Sequence, residues 1–126
     1  MRYVGQAVNG LREGKGICYW EDGDWYEGDF RKDKKEGKGI YYWNREPFKG
    51  DRYEGEWRNG NKEGKGIYYN NNGDRYEGDY RNDKAEGKGI YYYSNGDRMM
   101  GDYYNDNPIG KHVMLTRNGE VKVNNY

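Results

Sequence analysis

Rings and glycines alternate with charged residues through much of the chain. In residues 76–81, the sequence is Tyr-Glu-Gly-Asp-Tyr-Arg, so every second residue is a tyrosine or glycine and the residues between them are charged. A period of two residues is typical of a half-buried β-strand. Residues 87–93 are rich in Tyr and Ile, which favour a second strand. Asn, Asp, Lys and Ala at 82–85 lie between the two and predict a turn. The pattern therefore predicts a β-hairpin.

The hairpin pattern recurs along the whole chain. Copies begin at Tyr3, Tyr26, Tyr53, Tyr76 and Met99, and ten residues into the first four comes the block Glu-Gly-Lys-Gly-Ile. Four extra residues near 44–49, which include a proline, predict a loop. Repeats of this length are stacked units that stabilise one another as neighbours. We expect one domain over 1–126, with units starting at about 3, 26, 53, 76 and 99 and the last unit forming a degenerate cap.

The composition shows what must fill the core. Leu, Ile, Val and Phe together account for only fourteen of 126 residues, whereas there are sixteen Tyr, four Trp and twenty-one Gly. A ring can lie flat on a glycine of the neighbouring strand because glycine has no Cβ. We therefore expect an all-β protein: a single-layer antiparallel array of about five β-hairpins, elongated or curved, with nine or ten strands.

Charge and targeting signals exclude several classes of protein. Twenty-two basic residues balance twenty-two acidic ones, which argues against a nucleic-acid binder. Cys18 is the only cysteine, so no internal disulfide is expected. No apolar run approaches membrane-span length, and no signal peptide follows Met1. We expect a soluble cytoplasmic protein. An all-repeat chain with a degenerate last unit is typical of a complete protein, so a targeting segment of a larger enzyme is the less favoured interpretation.

Catalytic chemistry is not expected. Cys18 and the only histidine, His112, lie in the first and last units. The repeated carboxylates occupy equivalent positions, which predicts a structural role such as cross-strand pairing with Arg31, Arg58 and Arg81. Glu-Gly-Lys-Gly lacks the Ser or Thr of a phosphate-binding loop. We predict no enzyme activity, no catalytic residue, no metal site and no cofactor.

The combined motif resembles a known family. Tyr-x-Gly-x-aromatic, then Glu-Gly-Lys-Gly-Ile, then Asn/Asp-Gly-Asp is similar to the MORN (membrane occupation and recognition nexus) repeat. The resemblance covers nearly all of the chain; unit one departs at Ala7 and unit five at Met99 and His112. It implies an antiparallel β meander, often with a groove, that serves as a protein-interaction scaffold, a dimerisation module or a binder of anionic phospholipids. It also implies a cytoskeletal or ciliary setting.

One candidate surface is aromatic. Strand parity separates Ile40 and Tyr42 from Tyr41 and Trp43, so both faces carry rings, yet a single-layer sheet buries only one face well. The favoured assignment exposes a row for a protein partner, made of Tyr19, Tyr42, Tyr69 and Tyr92 with Ile17, Ile40, Ile67 and Ile90 beside them. In the alternative assignment those residues are core, and Tyr41, Tyr68 and Tyr91 are exposed.

A second candidate surface is basic. Five lysines recur at one repeat position and predict a ladder: Lys15, Lys38, Lys65, Lys88 and Lys111. Glutamates two residues away, at 13, 36, 63 and 86, are expected to neutralise it. The sequence therefore predicts a non-catalytic scaffold that docks a protein partner on the aromatic face. Peripheral binding of anionic phosphoinositide membranes through the lysines is the alternative. Open sheet edges also predict a homodimer.

Overall fold

The computed structural model describes all 126 residues, which form eleven antiparallel strands in one open sheet. The strands pair in chain order, each with the next. They are β1 (Arg2–Val8), β2 (Leu11–Tyr19), β3 (Trp25–Arg31), β4 (Lys34–Tyr42), β5 (Arg52–Arg58), β6 (Asn61–Tyr69), β7 (Arg75–Arg81), β8 (Lys84–Tyr92), β9 (Arg98–Tyr104), β10 (Asn107–Leu115) and β11 (Val121–Asn125). The fold class is as predicted. One strand more than expected is present, because residues 121–125 pair with β10.

The hairpin turns contain two residues each. Both residues have positive φ in every hairpin, as in Asn82 and Asp83 with φ of 49° and 71°. Two positive φ values define the type I′ turn, whose twist matches that of the flanking strands. The expected turn over 82–85 was therefore too long, and β8 already begins at Lys84.

A bulge breaks the register once in each hairpin. In the second unit the pairing shifts between Gly28 and Phe30. The carboxylate of Asp29 accepts a hydrogen bond from the backbone N–H of Lys38 at 3.1 Å, and Glu56 accepts one from Lys65 at 2.7 Å. The acidic residue of the motif thus pairs with an amide at the bulge.

The repeated carboxylates make only one ion pair with the arginines expected from the sequence, that of Glu86 with Arg81 at 3.9 Å. Asp29 and Asp79 pair with the lysines of the preceding unit, Lys15 and Lys65. The expected partners were Arg31, Arg58 and Arg81. The register explains the difference, because Asp29 lies directly opposite Lys15 on β2 and Asp79 lies directly opposite Lys65 on β6.

The core lies on one face of the sheet, called here the core face. Tyr26 and Tyr53 are fully buried there. The Tyr26 ring lies against Gly39, and a Cβ at Gly39 would clash with the Tyr26 hydroxyl at 2.1 Å. That hydroxyl donates to the carbonyl of Asp29 at 2.8 Å. Edge-to-face contacts with centroids 4.9–5.7 Å apart continue from ring to ring across the sheet, through Tyr3, Phe30, Tyr26, Trp57, Tyr53, Tyr80, Tyr76, Tyr103, His112 and Tyr126. Ring packing on glycine is therefore the main source of the core.

Buried aspartates join successive units. Asp24 is fully buried, and its carboxylate accepts from the Tyr41 hydroxyl and from the Asn44 backbone N–H, both at 2.8 Å. Asp51 makes the same two bonds one unit later, with the Tyr68 hydroxyl and the Asn71 amide. The link motif Asn/Asp-Gly-Asp therefore does more than turn the chain, because its last residue ties each unit to the next.

Candidate functional site

The face opposite the core, called here the back face, carries the residues predicted to bind a partner. The structure packs Tyr41, Tyr68 and Tyr91 against the core. It places their neighbours on the opposite face, namely Tyr19, Tyr42, Tyr69 and Tyr92 with Ile17, Ile40, Ile67 and Ile90. This is the favoured of the two assignments made from the sequence. A role of this face in binding stays a prediction.

The four tyrosines form a row across the sheet, called here the tyrosine row, in which the rings of Tyr42, Tyr69 and Tyr92 are stacked. Trp25 lies parallel to Tyr42 with centroids 4.3 Å apart. The guanidinium carbons of Arg52 and Arg75 lie 3.8 and 3.9 Å from the ring centroids of Tyr69 and Tyr92.

This stacking leaves the row less exposed than expected. Tyr19 is 40% exposed, and the other three tyrosines are half-buried. Burial raises the pKa of the Tyr42 phenol, and the Glu27 carboxylate adds to the effect. The arginines were missed from the sequence, although Arg52 and Arg75 each precede a motif tyrosine and so fall in register with the row.

A second row of the back face alternates isoleucine with glutamate. Ile17, Ile40 and Ile67 face Glu27, Glu54 and Glu77 on the neighbouring strands. The alternation stops in the last unit, where Ile90 faces Met100 and Met100 faces Val113. This isoleucine row is therefore amphipathic over most of the sheet and apolar at its C-terminal end.

A third row contains the predicted lysine ladder. Lys111 faces Asn125. Each of the other four lysines faces a carboxylate, in the pairs Lys15–Asp29, Lys38–Glu56, Lys65–Asp79 and Lys88–Asp102. The Lys65 ammonium lies 2.5 Å from Asp79. Burial raises the pKa of the Asp29 carboxyl, but hydrogen bonds from Lys15 and the Lys38 amide outweigh that effect and lower it overall. This lysine row is an alternating lattice of opposite charges.

The glutamates at 13, 36 and 63 have a different role from the one expected. Their carboxylates accept hydrogen bonds from backbone amides of the next hairpin turn, those of Lys32, Asn59 and Asn82 at 3.2, 2.8 and 3.0 Å. Cross-strand aspartates and a glutamate, rather than these residues, therefore face the lysines.

A groove separates the isoleucine row from the lysine row. Its floor is backbone, because one glycine of each strand from β3 to β9 lies there: Gly28, Gly39, Gly55, Gly66, Gly78, Gly89 and Gly101. It contains two depressions of about 560 and 640 Å³, both lined by Lys65, that extend from β3 to β10. The glycines that make room for the tyrosine rings on the core face thus also leave a groove on the back face.

The family model for the MORN repeat matches four consecutive segments of the chain, residues 3–25, 26–45, 53–75 and 76–98. The chain belongs to the MORN repeat family. MORN repeats are non-enzymatic modules that bind proteins or membranes. No curated protein matches the chain.

The unusual side chains of this MORN array lie apart. Cys18 is buried on β2 with its sulfur 3.1 Å from a guanidinium nitrogen of Arg12, and His112 is buried on β10. No group of three His, Cys, Asp or Glu side chains is arranged to hold a metal ion. No helix in the chain has the length and apolar composition that crossing a membrane needs.

Proposed function

We propose that this MORN array is a non-catalytic scaffold that docks an extended protein segment on its back face. The observation that carries the proposal is the groove from β3 to β10, bordered by the isoleucine row and running alongside the tyrosine row. Such a segment would lie across the strands, because the groove does. The resemblance of the repeats to those of cytoskeletal and ciliary proteins supports an assembly of that kind in the cytoplasm as the setting.

The chemistry of the back face suits a segment that carries both apolar and charged side chains. Stacked pairs such as Arg52 on Tyr69 present a flat surface whose rotamers are already restricted, so binding orders few side chains. Tyr, Trp and Arg are the residues most often found to dominate interface energies. The apolar end around Ile90, Met100 and Val113 would anchor the apolar part of the segment.

Substitution of the tyrosine row tests the proposal. Proteins retained by the immobilised chain are compared with those retained by a variant with Tyr42→Ser, Tyr69→Ser and Tyr92→Ser, and the binding of the purified partner is then measured by calorimetry. Loss of an interface hot spot costs about 2 kcal/mol or more, so we expect affinity to fall at least about 30-fold. The matched control is Tyr104→Ser, since Tyr104 is 59% exposed and lies outside the row. Unchanged affinity in a variant whose circular dichroism is native would overturn the proposal.

Membrane binding through Lys15, Lys38, Lys65 and Lys88 is the competing function, and the carboxylate opposite each lysine weakens its support. Each unpaired lysine near an anionic surface is worth about 1 kcal/mol. We expect little co-sedimentation with phosphoinositide vesicles at either of two salt concentrations. Salt-sensitive binding that a variant with Lys38→Glu, Lys65→Glu and Lys88→Glu loses would replace the scaffold proposal with the membrane function.

A further inference from the structure

Two lysines on the core face are enclosed by aromatic rings. The Lys35 ammonium lies 5.1–5.9 Å from the centroids of four rings, those of Trp20, Tyr26, Tyr41 and Trp57. The Lys62 ammonium lies 5.2–5.6 Å from the equivalent four, those of Trp43, Tyr53, Tyr68 and Tyr80. The second and third units thus each supply a lysine that an aromatic cage encloses.

The rings replace water around these ammonium groups. Burial lowers the pKa of both Lys35 and Lys62, and the Asp83 carboxylate partly offsets that effect. A cation over the face of a ring is stabilised by about 0.5–2 kcal/mol, and more rings add to the attraction. The aromatic cage of the repeat therefore stabilises a buried alkylammonium group.

The fourth unit builds the cage without its lysine. Ala85 occupies the repeat position, since it faces Tyr80 as Lys62 faces Trp57 and as Lys35 faces Phe30. Three rings of the cage remain, those of Tyr76, Tyr91 and Tyr103, while Asn70 stands where the tryptophan would be. They line a cavity of about 480 Å³ together with Ala85. The missing side chain leaves the cage empty.

Two aspartates, two lysines and an apolar side chain surround this cavity. Asp83 and Asp106 line it, and backbone amides hold their carboxylates in place, that of Lys62 at 2.8 Å and that of Ala85 at 2.8 Å. Lys84 also lines it, with its ammonium 3.5 Å from Asp106, and so does Lys62, whose ammonium lies in the neighbouring cage. Phe48, from the loop inserted between the second and third units, lines it as well.

We propose that the cage at Ala85 binds the alkylammonium group of a lysine side chain from another protein chain. The same cages accept the chain's own Lys35 and Lys62, so the chemistry of recognition is already present in the molecule. The site lies on the core face and is separate from the back-face groove. Loss of binding at the Ala85 cage would therefore leave the proposal for the back-face groove unaffected, and the reverse also holds.

The test uses Nα-acetyl-lysine methylamide as the probe, with the neutral norleucine analogue as the comparison. Binding is followed by NMR through the shifts of the Ala85 methyl and the Tyr91 ring. A single caged cation should bind with a Kd of about 1–10 mM. Ala85→Lys should fill the cage from within and weaken probe binding at least about tenfold. Ala7→Lys is the matched control, because Ala7 lies on the exposed strand β1 and should bind as the unsubstituted chain does.

Three results would overturn the proposal. The first is that the probe does not bind the unsubstituted chain up to about 50 mM, well above the expected Kd. The second is that the norleucine analogue binds as tightly as the lysine probe. The third is that the probe binds folded Ala85→Lys as tightly as it binds the unsubstituted chain. If Ala85→Lys does not fold, Tyr91→Leu takes its place, since it removes one ring of the cage while keeping apolar bulk. Unreduced binding to that variant would overturn the proposal equally.

Discussion

The imidazole of His112 occupies the space above Gly101 that a tyrosine ring occupies above glycine in the earlier units. A Cβ on Gly101 would come within 2.4 Å of that imidazole. Nε2 of His112 lies 2.8 Å from the carbonyl oxygen of Asp102 and donates to it, as the Tyr26 hydroxyl donates to Asp29. Met99 stands at the tyrosine position of this unit. The two departures from the motif, Met99 and His112, thus compensate one another. The ring comes from β10 in this unit, whereas it comes from the first strand of the hairpin in the earlier units.

This compensation predicts non-additive stabilities. His112→Gly should destabilise the fold by about 3 kcal/mol, because it leaves a cavity in the ring stack. Met99→Tyr alone should destabilise it by about 1–3 kcal/mol, because the new ring and the imidazole need the same space. The double variant restores the arrangement of the second unit, with Tyr26 over Gly39, and should lie within about 1 kcal/mol of the unsubstituted chain.

Chemical denaturation of the four proteins measures the coupling. A coupling of about 2 kcal/mol or more is expected for two side chains that share one site. Additive effects would contradict the exchange of ring positions.

A second prediction concerns the glycines under the rings. A Cβ on Gly66 would lie 2.2 Å from the Tyr53 hydroxyl, and that ring is fully buried. Gly66→Ala should therefore destabilise the sheet by about 1–3 kcal/mol. The matched control is Gly60→Asp: nothing lies within 4 Å of a Cβ at Gly60, and the equivalent turn residues Asp33 and Asp83 adopt similar φ. Thermal unfolding compares the two, and equal losses would contradict ring-on-glycine packing as the reason for the motif.

A third prediction is unfolding at alkaline pH. Burial raises the pKa of Tyr103 to about 12, and it raises the pKa of Tyr26 and Tyr53 further. The unfolded chain ionises near the ordinary value of 10.0. Stability is thus fully present below that pH and is lost as pH rises above it, by up to about 1.4 kcal/mol per pH unit for each buried tyrosine.

Tyrosinate absorbance and circular dichroism, recorded together, test this expectation. Ionisation of the buried rings should coincide with loss of the sheet, whereas protein in guanidinium should titrate near 10.0. Complete ionisation at that pH with an intact sheet would show that the core rings are accessible.

A fourth prediction is self-association through the sheet edges. The outer edges of β1 and β11 have no neighbouring strand, and Val4 and Val123 are 52% and 50% exposed there. Unpaired strand edges favour pairing with another chain. Light scattering should show a dimer at high concentration, and Val4→Lys with Val123→Lys should weaken it about tenfold or more by placing charge at both edges. A strict monomer throughout the concentration series would contradict it.

The fold and parts of the candidate site could be read from local patterns. Alternation separates Tyr41 from Tyr42 by one residue, and a strand must direct them to opposite faces. The pairing of Asp29 with Lys15 was missed because it joins two units, and the register between units is not part of either unit's own pattern. The stacking of Arg52 on Tyr69 was missed for a different reason, since a bulge between Gly55 and Trp57 shifts the register of that hairpin.

The sequence by itself determined the repeat, the hairpins, the family and the packing of rings on glycines, because each follows from spacings within about 25 residues. Tertiary structure alone decided which row of rings became the core, which carboxylate each lysine faces and which cage is empty. Those outcomes depend on contacts between units. The Ala85 cage, for example, takes Asn70 from one unit, Tyr76 and Tyr91 from the next and Tyr103 from the last. A residue's own unit does not specify what the neighbouring units place beside it.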